Sequence, residues 1–197
     1  MPIREMVKLG WIEDPGRDVG KLIEAVKAFW NIRDFDLSFM DSSPAMMMRS
    51  AEAYQAKFNP CFAATWLQKA KLEAAKQPMS ESFDSEAVER FGFELPACSS
   101  MPDGEAVALR RLGQLGVKVL ELPHLPQTYL DGAAFMSGSS PTIAFTRRLD
   151  RIDNFWFVLA HETAHVCLHL RKGTNESHVF LDCDEPASNQ REDEANA

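Results

Sequence analysis

Apolar residues recur at three- and four-residue intervals through the first part of the chain. Over residues 17–31, Val19, Leu22, Ile23, Val26, Phe29 and Trp30 fall on one stripe, the mark of an amphipathic helix with one buried face. A second helix is expected after Asn59-Pro60, where asparagine can cap and proline suits the first turn, running on through FAATWLQKAKLEAAK. Between them, Ser42-Ser43-Pro44 reads as a turn and Met46-Met47-Met48 as a buried segment. Residues 77–103, rich in Ser, Pro and Asp, read as a linker around a short helix near Ser85 to Phe91.

The pattern then changes. A helix at Glu105 to Leu115 is ended by Gly116, and Val117 to Leu122 follows as a strand. Tyr129 to Met136 and Pro141 to Thr146 are two further strands, separated by the turn Ser137-Gly-Ser-Ser140. The last long element is a helix from about Phe155 to Leu170, with Asp153 and Asn154 as N-caps. Phe155, Trp156, Phe157, Val158, Leu159, Ala160, Ala164, Val166, Cys167 and Leu168 cover most of its directions, so it is expected to be buried all round. The reading is an α+β chain: a helical region with a linker over residues 1–100, then a domain over 101–197 in which a three-stranded sheet leads into a helix.

Composition narrows the function more than the fold. With 45% hydrophobic and 25% charged residues over 197 positions, the chain can bury a core and is neither disordered nor a disulfide-built miniprotein. A formal net charge of -8 is the wrong sign for a domain held mainly by phosphate contacts, so direct nucleic-acid binding is not expected. No stretch approaches the roughly 20 apolar residues of a membrane span, and the N-terminus lacks a signal-peptide core, which points to the cytoplasm. Cys61, Cys98, Cys167 and Cys183 show no C-x-x-C spacing and read as reduced thiols.

The chemistry lies in His161-Glu162-Thr163-Ala164-His165. At about 100° per residue, two histidines four apart sit about 40° apart and one turn along the axis, so both imidazoles can reach one metal ion. Glu162 lies beside them, placed to take a proton from the attacking water without being a ligand. An apolar helix that buries a carboxylate and two imidazoles calls for a compensating cation. Metzincin spacing would need Gly at 168 and His at 171, and the chain has Leu168 and Arg171. His169 lies about 12 Å along the axis from His161, too far to share one ion, and reads as a residue that either supports a ligand or packs. Candidates for a third ligand are the acidic groups that follow: Asp182, Asp184, Glu185, Glu192, Asp193 and Glu194. Tyr129 and His124 are candidates for steadying an oxyanion.

The stretch Phe155-Trp-Phe-Val-Leu-Ala-His-Glu-Thr-Ala-His-Val-Cys-Leu-His169 resembles the signature of the ImmA/IrrE family of zinc metallopeptidases, with Thr163 and Ala164 in place of the usual Leu-Gly. Leu122 to Gly132, Pro141 to Arg147, Asp150 to Asp153 and Glu192 to Asn196 also resemble that family, so the likeness covers about 104–197. Pro2 to Ile12 resembles, more weakly, the segment after the helix-turn-helix in longer members. The resemblance implies a metal-binding helix packed on a small sheet. It also implies zinc held by His161, His165 and Glu192, with Glu162 as general base. The implied function is a zinc-dependent endopeptidase of a transcriptional regulator, cutting a repressor or toxin-like protein partner. The alternative is an antitoxin-type interaction module that keeps the fold with little proteolysis. Ala197 follows soon after Glu192, and no helix-turn-helix precedes residue 1, so the chain reads as a C-terminally truncated piece of a longer regulator.

Overall fold

A computed structural model describes residues 1–34, 58–78, 81–170 and 179–183. Among them five helices come first: α1 (Ile3–Lys8), α2 (Val19–Trp30), α3 (Pro60–Lys76), α4 (Ser85–Ser99) and α5 (Gly104–Gln114). Strands β1 (Lys118–Glu121), β2 (Leu130–Ser137) and β3 (Ser140–Phe145) follow, then helix α6 (Ile152–His169) and strand β4 (Val179–Cys183). The class is the mixed α+β one that the patterning suggests. The turn at Ser42-Ser43-Pro44 and the Met46 to Met48 segment lie outside the described residues.

Local chemistry explains the helix ends. Asp18 caps α2 by accepting from the Lys21 amide at 3.1 Å, and Asn31 closes it in the left-handed region at φ 53°. The Asn59 side chain accepts from the Cys61 amide at 3.1 Å where α3 begins. Gly116, at φ 83°, turns the chain from α5 into β1, a conformation that residues with a Cβ rarely adopt.

α4 is longer than expected. Instead of a short helix in a linker it runs fifteen residues, capped by Asp84 on the Ala87 amide at 3.0 Å. Gly92 and Pro96 masked it in the sequence. Pro96 sits near the C-terminal end, where its missing N–H removes a single helical bond, and Val88, Phe91, Leu95 and Cys98 still line one buried stripe.

The sheet has four strands, not three, in the order β1-β3-β2-β4. β1 runs parallel to β3, while β2 is antiparallel to both β3 and β4. β4 was missed because Val179-Phe-Leu181 is too short a run for its period to declare itself.

The described residues form two compact units, one drawn from Met1–Lys69 with Leu125–Thr128, the other from Ala70–His124 with Tyr129–Ala197. In the first, Trp11 stacks on Phe29 at 6.5 Å and Gln68 donates to the Phe29 carbonyl. In the second, α4, α5 and α6 share one apolar core with the sheet, built from Phe91, Leu95, Leu112, Ile143, Phe145 and Leu159 among others. That core holds α6 against β2 and β3.

A buried ion pair fixes the start of β2: Arg148 reaches both carboxylate oxygens of Asp131, at 3.0 and 2.8 Å, with Asp131 only 4% exposed. The described cysteines Cys61, Cys98 and Cys167 carry free thiols. Among the described residues, no helix is long and apolar enough to cross a membrane.

Candidate metal centre

α6 begins earlier than its sequence suggests. It starts at Ile152 after an extended Arg151, with no side-chain cap, so Asp153 and Asn154 are not its N-caps. Asp153 lies in the first turn, where a carboxylate opposes the helix dipole, and pairs with the Arg151 guanidinium. That guanidinium holds the Asp153 carboxyl below the usual carboxylate range.

Nor is α6 buried all round. Phe155, Val158, Leu159 and Val166 pack into the core, but Phe157 is 58% and Leu168 44% exposed. The open positions, Phe157, Ala160 and Leu168, share one side of the helix. The sheet and α4 leave that side uncovered.

His161 and His165 lie beside this open side, 5% and 1% exposed, with their Nε2 atoms 3.1 Å apart. Aromatic neighbours fix both rings. His161 stacks on Phe157 at 6.0 Å and 18°, and His165 on Phe180 of β4 at 4.6 Å and 17°. His169 packs on the same Phe180 at 5.0 Å, the second of the two roles expected of it.

Two ligands on one zinc, with bonds near 2.1 Å and a near-tetrahedral angle, stand about 3.4 Å apart. The Nε2 separation is about 0.3 Å short of that span and is the distance of one imidazole donating to the other, so a small opening of the pair would admit a metal.

Glu162 is fully buried, on the side of α6 turned to β2. The fit there is close: a Cβ built on Gly132 of β2 would stand 2.4 Å from the Glu162 Oε1 atom and 2.9 Å from its Cγ. The structure thus brings His161 and His165 together on α6 and places Glu162 on the neighbouring, sheet-facing side of the same helix. Glu192, with Asp184, Glu185, Asp193 and Glu194, lies outside the described residues, and residue 182 falls within β4. Among the described residues, no group of three or more His, Cys, Asp or Glu is gathered to hold a metal.

The two candidates for an oxyanion donor are placed differently. Tyr129 precedes β2 in the left-handed region at φ 51°. His124 sits with Arg148, Asp131 and the Leu130 backbone, and its buried Nδ1 meets no hydrogen-bond partner among the described residues. Burial, aided by the Arg148 charge and opposed by Asp131, lowers the His124 pKa below its ordinary 6.5. Between that lowered value and 6.5 the unfolded chain takes up a proton that the folded one refuses. The His124 contribution to stability is therefore complete above the unfolded pKa and is lost as pH falls toward the folded one. His124→Gln is expected to flatten this part of the melting-temperature profile below pH 6.5, measured by differential scanning calorimetry.

Burial, with Glu89 nearby, pushes the Cys167 thiol up to about 11, so in the metal-free chain it is protonated at neutral pH.

Sequence reasoning missed Gly132, Phe180 and the open flank at Phe157. Only Gly132 left a signal, since a glycine inside a strand pattern marks close approach of another group.

Taken with the fold, a histidine pair and a buried glutamate on a helix laid over a small sheet define a metallopeptidase-like domain. The family model Peptidase_M78, the IrrE N-terminal-like domain, matches residues 112–197. The match supports an ImmA/IrrE-type domain over that stretch. None of the curated proteins and none of the solved structures matches the chain.

Proposed function

We propose that the domain is a zinc-dependent endopeptidase acting on a regulatory protein in the cytoplasm, with His161 and His165 as ligands and Glu162 as general base. The observation that carries the reading is the 3.1 Å convergence of two buried Nε2 atoms on the helix that also buries Glu162. Zinc bound there would polarise the scissile carbonyl and lower the pKa of a coordinated water to near neutrality.

The chain's own groups do the rest. The stacked Phe157 and Phe180 rings keep the two imidazoles turned toward each other. Glu162 takes the proton of the attacking water and returns it to the departing amine, work suited to a carboxylate shielded from bulk solvent. The open side of α6, with Phe157 next to His161, leaves room for a polypeptide to approach. Glu192 completes the ligand set in this reading, as the ImmA/IrrE resemblance implies, and the substrate class, a repressor or toxin-like protein, has the same source.

A complex mixture of proteome-derived peptides tests the reading without knowledge of the substrate. Mass spectrometry is expected to find new termini after incubation with the zinc-loaded chain, lost with a chelator and restored by added zinc. An unchanged mixture under all three conditions contradicts the endopeptidase reading and favours an interaction module.

A further inference from the structure

The carboxylate of a general base acts over a short range, and a misplacement of about 1 Å costs on the order of a hundredfold in rate. What sets the position of Glu162 is thus as much a part of the site as its identity. Three elements bear on it: its own helix, the neighbouring Val158 on the same helix, and β2 beneath.

β2 is packed on both faces; every residue from Leu130 to Met136 is buried. At Gly132 it carries no side chain. A Cβ there would lie 2.4 Å from Glu162 Oε1, 2.9 Å from Glu162 Cγ and 2.9 Å from Val158 Cγ1, all well inside van der Waals contact. The φ of Gly132 is not among the positive ones, so alanine could adopt this backbone and conformational freedom is not the reason for glycine here. Space is the reason, and most of that space is filled by the Glu162 side chain.

The strand cannot simply step back to admit a methyl. Gly132 is paired on both sides, with Phe145 of β3 and, just past a register shift between Leu130 and Gly132, with residue 182 of β4, so its backbone lies between two strands. The side chain that yields to an added Cβ is therefore on α6.

We propose that Gly132 is the positioning residue of Glu162: its missing side chain leaves the space in which the carboxylate is held at its working place. The role as base rests on the endopeptidase reading, whereas the fit of one residue into the other does not.

A double-mutant cycle on the full chain separates the two. Wild type, Gly132→Ala, Glu162→Ala and the double variant are compared by melting temperature. Gly132→Ala is expected to lower it by about 5 °C alone and by much less once Glu162 is shortened. If Gly132→Ala does not fold, recovery of folding in the double variant reads the same coupling.

Zinc content provides the readout that a general loss of structure would move. Gly132→Ala is expected to keep the wild-type stoichiometry while cleavage falls about a hundredfold. Equal melting losses in both backgrounds, or a double variant that also fails to fold, would overturn the proposal by assigning the clash to Val158 or to the sheet. Coupling without any cleavage by the wild type would leave the fit of Gly132 to Glu162 standing and remove the endopeptidase reading instead.

Discussion

Glu162→Gln is expected to abolish peptide cleavage while the chain still folds and binds zinc as tightly as before. Glutamine has nearly the same shape and fits the same space over Gly132, so packing is preserved. What it lacks is the ability to accept a proton and return it. General base catalysis of this kind is worth on the order of 10²–10⁴ in rate, and in a buried site no bulk water substitutes for it. Because Glu162 is not a ligand in this account, zinc content and the zinc-dependent rise in melting temperature should match those of the wild type. A variant that keeps cleaving at the wild-type rate would assign the proton transfer to another group. One that loses its zinc would make Glu162 part of the ligand set.

Zinc itself is expected to stabilise the wild type and to move His161→Ala and His165→Ala far less. A ligand that binds only the folded chain adds about 2.7 kcal/mol at a concentration a hundred times its dissociation constant. For a chain of this size that raises the melting temperature by roughly 5–10 °C. Either imidazole alone is a weak site, so removing one is expected to eliminate most of the shift. The two variants differ in what else they disturb. His165 is 1% exposed and stacks on Phe180, so His165→Ala also opens a cavity and lowers the metal-free melting temperature. His161 borders the half-exposed Phe157, and its loss is expected to be milder. Differential scanning fluorimetry with and without zinc distinguishes the two contributions.

The parts of this account legible in the sequence are those that depend on short-range periodicity and caps. The α2 stripe from Val19 to Trp30, the Asn59-Pro60 start of α3 and the stop at Gly116 each follow from a few adjacent residues. The i, i+4 spacing of His161 and His165 likewise requires a helix and nothing more, and the structure brings the two Nε2 atoms to 3.1 Å.

What was not legible depends on tertiary contacts. Pro96 and Gly92 are helix breakers by propensity, yet α4 runs through both because Val88, Phe91 and Leu95 anchor it in the core. The composition of α6 calls for burial on every side, but the sheet and α4 cover only part of its circumference and leave Phe157 and Leu168 in solvent. β4 owes its existence to the free edge of β2, with which Val179 and Phe180 pair, and no local pattern in five residues announces that. Gly132 and Phe180 support the site from neighbouring strands, thirty residues before Glu162 and fifteen after His165, distances over which a single sequence gives no indication of contact.

The most direct test of the central claim, that α6 carries a metal centre, is the zinc content of the purified chain by elemental mass spectrometry, with His161→Ala prepared in parallel. The expected result is close to one zinc per wild-type chain and almost none in the variant. No zinc in the wild type, even after reconstitution, or equal zinc in both proteins, would contradict it.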